Sequence, residues 1–130
     1  MSSMIYNFLV VAAGGAIGSM LRYCVTLLYS GTQTILSLPT ITVNILGSFI
    51  IGFFFAYAAY FYLPPMVRLF LFVGLLGGFT TFSSFSIETL QLFRNSQYMY
   101  AILAILINNV GGLLAAFLGL FIGNRLPKLF

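Results

Sequence analysis

Gly77-Gly78-Phe79-Thr80-Thr81-Phe82-Ser83-Ser84-Phe85-Ser86 decides how the rest of this chain is read. Two glycines, two threonines and three serines are interleaved with three phenylalanines, inside an uncharged run from Leu69 to Ile87. The run is long enough to cross a bilayer, for which about 20 apolar residues suffice. A uniform membrane anchor has no use for so many hydroxyls and glycines at that depth. Their side chains compete for backbone groups and favour a kinked or non-helical segment. Such backbone is tolerated at membrane depth only where protein buries it or water reaches it, and broken helices are a recurring way to build ion sites. The stretch therefore reads as a break in a membrane helix with a functional purpose.

The surroundings agree. Of 130 residues, 62% are hydrophobic and only 5% charged, against about 25% charged in a soluble domain. This is the composition of an integral membrane protein with a single domain. The net charge of +4 comes from five cations spread along the whole length, which is neither a nucleic-acid patch nor a polybasic lipid anchor. Histidine is absent, Cys24 is the one cysteine and Glu88 the one acid. No carboxylate pair, histidine triad or cysteine-based zinc site can be assembled, so an enzyme is not expected. The first cation is Arg22, so the first apolar run lacks the basic start of a secretory signal and reads as a permanent helix.

Turn signals at Ser30-Gly31-Thr32-Gln33, Pro39, Pro64-Pro65 and Arg94-Asn95-Ser96-Gln97 divide the chain into four helices at about 4–29, 40–62, 66–93 and 98–123. The short connections imply antiparallel neighbours and leave no domain outside the membrane. In the first helix Gly14 and Gly18 form a small-residue pair suited to close helix packing. Arg22, some two turns before its end, either snorkels to the headgroups or faces a water-filled mouth that admits anions. In the second helix Thr40, Asn44, Ser48 and Gly52 recur every four residues, on one face. An isolated asparagine there would be an interhelical staple; a stripe suggests a track. The fourth helix repeats the theme with Ala104, Asn108, Gly112 and Ala116. Phe79, Phe82 and Phe85 recur every three residues, a spacing that puts them on roughly one side and by itself describes core. Glu88 is read as structural, pairing with Arg94 or capping local amides, with proton carriage as the alternative.

Arg68, Arg125 and Lys128 fall on one side of the membrane, Arg22 and Arg94 on the other. Three against two is too weak a bias to set orientation. The chain is thus expected to be able to insert both ways and pair as an antiparallel dimer.

Length, weak charge bias, the Gly-Gly-Ala-Ile-Gly and Leu-Arg segments of the first helix, Val43-Asn44, and above all residues 77–86 followed by Glu88 resemble the small bacterial fluoride-channel family known as Fluc or CrcB proteins. The resemblance covers nearly the whole chain. It implies a multi-pass protein of the bacterial cytoplasmic (inner) membrane, a dual-topology homodimer embedded in the lipid bilayer, with the third helix broken at midplane. It implies passive fluoride export through pores lined by Asn44, Phe82 and Phe85, with Thr81, Ser83 and Ser84 near the ion path. Thr40, Ser48 and Asn108 join that lining by their place on the helix stripes, and Arg22 matches the family's vestibule arginine. The resemblance further implies a structural Na⁺ at the dimer interface, held by the backbone carbonyls of Gly77 and Thr80. Phe79 is left as packing. On the fourth helix relatives often carry hydroxyl or imidazole groups, where this chain has Asn108, and serine is common where it has Gly112.

The chemistry suits the ion. Fluoride holds its water tightly, so a pore must replace those hydrogen bonds with amide and hydroxyl donors. Neutral donors bind well enough for the ion to come in and weakly enough for it to leave. Phenyl edges carry the positive part of the ring quadrupole and can face an anion. A multidrug-type four-helix transporter would need an acidic residue in the first helix, and there is none. A non-conducting assembly subunit would leave the polar stripe without a purpose.

Overall fold

The computed structural model describes residues 2–125, with side chains from Met4 onward. Lys128 lies outside them. Among the described residues, four helical spans are long and apolar enough to cross a membrane: Met4–Leu28, Leu38–Tyr60, Pro65–Arg94 and Tyr98–Gly123. The protein is all-helical, with the four spans of a multi-pass membrane protein.

The first span is α1 (Ser2–Leu28) and the second α2 (Leu38–Tyr60). Pro39 sits inside the first turn of α2 rather than ahead of it. There its missing N–H is one of the groups a helix start leaves without a partner anyway. The third span begins with α3 (Pro65–Arg68), widens into a π-helical stretch over Leu69–Leu75, and tightens again in α4 (Leu76–Phe79). Thr80 and Thr81 are extended, with φ/ψ of −79/159° and −148/117°, before α5 (Phe82–Arg94) resumes. The fourth span is α6 (Tyr98–Leu106), a π-helical turn over Ile107–Gly111, and α7 (Gly112–Gly123).

Two dry seams hold these spans together. Along the first, a Cβ at Gly14 would meet the Phe70 carbonyl at 2.6 Å, one at Gly78 would meet the Gly15 carbonyl at 2.6 Å, and Gly18 lies against Leu75 and Phe79. Along the second, Gly52 lies on the Ala116 backbone and Gly119 on that of Phe49, with Gly123 against Phe53 and Ala56. In both seams residue numbers rise together, so the first span runs parallel to the third and the second parallel to the fourth. Lipid offers no hydrophobic drive between helices, and close backbone approach supplies the dispersion contact instead. Between the seams, α5 packs on α6 through a small core of Leu92, Ala101 and Ala104.

Candidate functional site

The extended pair Thr80-Thr81 cannot satisfy its own backbone, and the side chains around it do so. Thr80 closes α4 twice: its N–H and its Oγ1 each donate to the Leu76 carbonyl at 3.0 Å. The Thr81 N–H, which a continuous helix would send to the Gly77 carbonyl, goes to Asn44 Oδ1 at 2.8 Å. Asn44 Nδ2 donates back to the Thr81 carbonyl at 3.1 Å. One amide side chain on α2 thus pairs both backbone groups of Thr81, as a neighbouring strand would. Thr81 Oγ1 caps α5 by accepting from the Ser84 N–H at 3.2 Å and donates to Ser84 Oγ at 3.0 Å. A threonine at this position contributes about 1 kcal/mol to the helix start.

The amide orientations follow from this. An N–H of Thr81 can only donate, so Asn44 must turn its oxygen there and its nitrogen toward the Thr81 carbonyl and Asn108. Asn108 must then present oxygen, and Asn44 Nδ2 donates to Asn108 Oδ1 at 2.8 Å. Asn108 Nδ2 in turn donates to the Ala104 carbonyl at 3.0 Å. Asn109 does the same one step on, to the Ile105 carbonyl at 2.8 Å. Both lie in the π-helical turn, whose backbone N–H groups reach five residues back. The Ala104 carbonyl, which also accepts the Ile107 N–H, thus takes the Asn108 amide as an additional donor.

Two cavities flank this cluster. One of about 360 Å³ is bordered by Tyr29, Thr34, Ser37, Glu88, Gln91 and Gln97 at the end where the α1–α2 and α5–α6 connections lie. The other, about 320 Å³, is bordered by Asn44, Ser48, Gly77, Thr80, Thr81 and Phe82. Phe85 and Asn108 border both. They lie between the cavity on the connection side and the one beside the extended pair.

The remaining sequence candidates are distributed around this cluster as follows. The residues of the α2 stripe do different things. Thr40 is buried and donates to Glu88 Oε1 at 2.8 Å, Asn44 and Ser48 face the second cavity, and Gly52 belongs to the dry seam. Glu88 is therefore held by Thr40, itself an acceptor for Ser37 Oγ at 3.2 Å, rather than by Arg94. The extended pair interrupts the helical phase between Phe79 and Phe82, so the regular spacing does not carry Phe79 onto the side where Phe82 and Phe85 meet. Phe79 is core at 6% exposure and Phe85 is buried, whereas Phe82 is 74% exposed, its ring 5.4 Å from that of Phe85 and edge-on to it. Ser83 is exposed and Ser84 half-buried. Ser83 Oγ lies 3.4 Å from Thr81 Oγ1. Arg22 is half-buried, and its guanidinium turns inward, with Nη1 3.5 Å from the Thr80 carbonyl.

Two contributors escaped the sequence reading. Gly47 lies off the four-residue stripe, yet its missing side chain makes room for the Thr80 methyl group. Asn109 borders the second cavity beside Asn108. The adjacency of two asparagines in an apolar helix was the available signal. For a cation, no group of three His, Cys, Asp or Glu side chains occurs among the described residues. The donor chemistry on offer is carbonyl oxygen, and the Gly77 carbonyl, relieved of its helical partner and in an exposed residue, is the best placed.

A family model described as CrcB-like protein, Camphor Resistance (CrcB), matches residues 9–120. The chain is 45% identical over 129 residues to a protein of Parabacteroides distasonis, covering 95% of this chain and 96% of that one. It is 40% identical to one of Elusimicrobium minutum, with 98% of both chains covered. A protein of Legionella pneumophila (strain Paris) shares 44% identity over 90% of this chain and 89% of its own. All three relatives bear the name fluoride-specific ion channel FluC, and ion channels are not enzymes. On the strength of that nearly full-length match, this four-span helical protein belongs to the CrcB-like family.

Proposed function

We propose that the chain is a fluoride-selective channel that lets fluoride leave the cell passively across the cytoplasmic membrane. The observation that carries this reading is the partition at Phe85 and Asn108, where two cavities meet across a cluster of neutral amide and hydroxyl groups. The name borne by the relatives supplies the ion. A fixed cation inside the constriction would hold fluoride too firmly for conduction, whereas neutral donors release it. Asn44 and Ser48 are the donor side chains nearest the break, with Asn108 lining the path beside them. Ser84 accepts from Thr81 and so keeps its own hydroxyl proton for an anion. Thr81 itself is spent on capping, and Thr40 acts by positioning Glu88. Phe82 and Phe85 face the ion through their ring edges and exclude bulk water.

The working unit is an antiparallel homodimer, inserted in both orientations, with the third span broken near the middle of the membrane. Support comes from the break itself: Gly77 and the 74%-exposed Phe82 lie uncovered in a single chain. A second copy would complete the pore wall there. Carbonyls stranded in a nonpolar setting cost several kcal/mol each, and a structural Na⁺ shared between copies would satisfy them. Gly77 and Thr80 are the residues to hold it, with the Thr80 carbonyl shared with Arg22. The ion would add positive potential beside the anion routes.

Anion efflux from proteoliposomes tests the reading. Fluoride is expected to leave and chloride to be retained; comparable chloride efflux, or none of either ion, would overturn it.

A further inference from the structure

The hydrogen-bond inventory of Asn44 conflicts with its simplest role. Its amide has two N–H groups, and both are occupied, one by the Thr81 carbonyl and one by Asn108 Oδ1. Its oxygen is occupied by the Thr81 N–H. As it stands, the side chain at the centre of the pore has no donor to offer an anion. The Thr81 pair cannot be given up, because both groups belong to the extended backbone of the break. Only the bond to Asn108 is exchangeable.

We infer that Asn108 is an internal competitor for the anion: its carbonyl oxygen occupies the Asn44 N–H at the junction of the two cavities, and fluoride passes by taking its place. The inference rests on the fluoride reading above and adds the specificity device of that site. Two observations converge on it. Asn108 borders both cavities, so an ion moving between them meets this bond. Its other end is tied to the Ala104 carbonyl in a π-helical turn, which holds the oxygen toward Asn44.

The exchange is chemically favourable in the direction required. An anion is a stronger acceptor than a neutral amide oxygen, so fluoride can displace Asn108. When the ion moves on, the bare Asn44 N–H would be left without an acceptor, and Asn108 returns to it. The competitor weakens the resting bond between site and ion and assists departure, which is the balance conduction needs. A bulkier, weakly accepting anion gains less from the swap.

Fluoride efflux from proteoliposomes, measured against fluoride concentration, tests this. Asn108→Ala is expected to lower the half-saturating fluoride concentration about fivefold, the value of one ordinary hydrogen bond, with slower efflux at saturation. Asn108→Asp puts a stronger acceptor in the same place and is expected to cut flux at least about tenfold. An Asn108→Ala half-saturation at or above that of the unaltered channel would overturn the inference while leaving the fluoride reading intact. If the unaltered protein passes no fluoride, the fluoride reading falls and takes this one with it. A second measurement needs no variant. With asparagine side chains labelled by ¹⁵N, a fluoride titration of the intact protein is expected to move one Asn44 N–H proton, that facing Asn108, and leave the one on Thr81 in place. Movement of both protons together, or of neither in a protein that conducts, would overturn it.

Discussion

Helix α2 carries two seams built on opposite terms. On one side Gly52 lies on the backbone of Ala116, and Gly119 on that of Phe49, with nothing polar between them. On another, Asn44 spans to Thr81 and Asn108 through three hydrogen bonds, beside a cavity of about 320 Å³. The dry seam admits no atom more; the polar seam leaves space and fills it with donors. In a membrane the two solve one problem. Helices must be held together without a hydrophobic drive, and backbone that has left the helix must find partners. Close packing answers the first need. An amide that imitates backbone answers the second, and leaves an opening as its by-product.

The largest effect is expected where no space exists. Gly119→Leu should force α2 and α7 apart, costing about 3 kcal/mol or more, seen as loss of monodisperse protein after extraction or a collapse of the thermal midpoint. An unchanged midpoint would mean that the seam is not the clamp. Next comes the polar seam. Asn44→Ala strands both backbone groups of Thr81 and should cost about 1–3 kcal/mol together with flux. Asn44→Asp keeps the acceptor for the Thr81 N–H but turns its other carboxylate oxygen on the Thr81 carbonyl and Asn108 Oδ1. A half-buried carboxylate facing two acceptors is costly, so this variant should melt no higher than the alanine one and should fail to conduct. Normal flux through it would show that the Asn44 N–H groups are not needed by the ion. The smallest effect on stability is expected at Phe82. It is 74% exposed within one chain, so Phe82→Ile should shift the stability of the isolated subunit by no more than about 0.5 kcal/mol while abolishing fluoride efflux. Normal efflux would move Phe82 from the pore to packing.

The sequence was most legible where composition and spacing act alone. Four apolar runs and the hydroxyl-rich residues 77–86 follow from counting. So does the four-residue stripe from Thr40 to Ser48, because helical periodicity assigns a face before any partner is known. Periodicity misled at Phe79 relative to Phe82 and Phe85, since it assumes an unbroken helical phase, and Thr80-Thr81 resets that phase by two extended residues. It was silent about Glu88, whose partner Thr40 is far away in sequence, and about Gly47, whose service to Thr80 is steric.

By itself, then, the chain order of residue types determined that this protein lives in a membrane, crosses it as four helices and places amides and hydroxyls near a glycine-rich interruption. Those are local or compositional properties, set by solvent and by helix pitch. Which donors are engaged was decided only by tertiary structure. Asn44 could be counted as an anion donor until its neighbours were in place, when Thr81 and Asn108 were seen to hold both its N–H groups. Hydrogen bonds saturate, and no spacing rule records which partner reaches a group first.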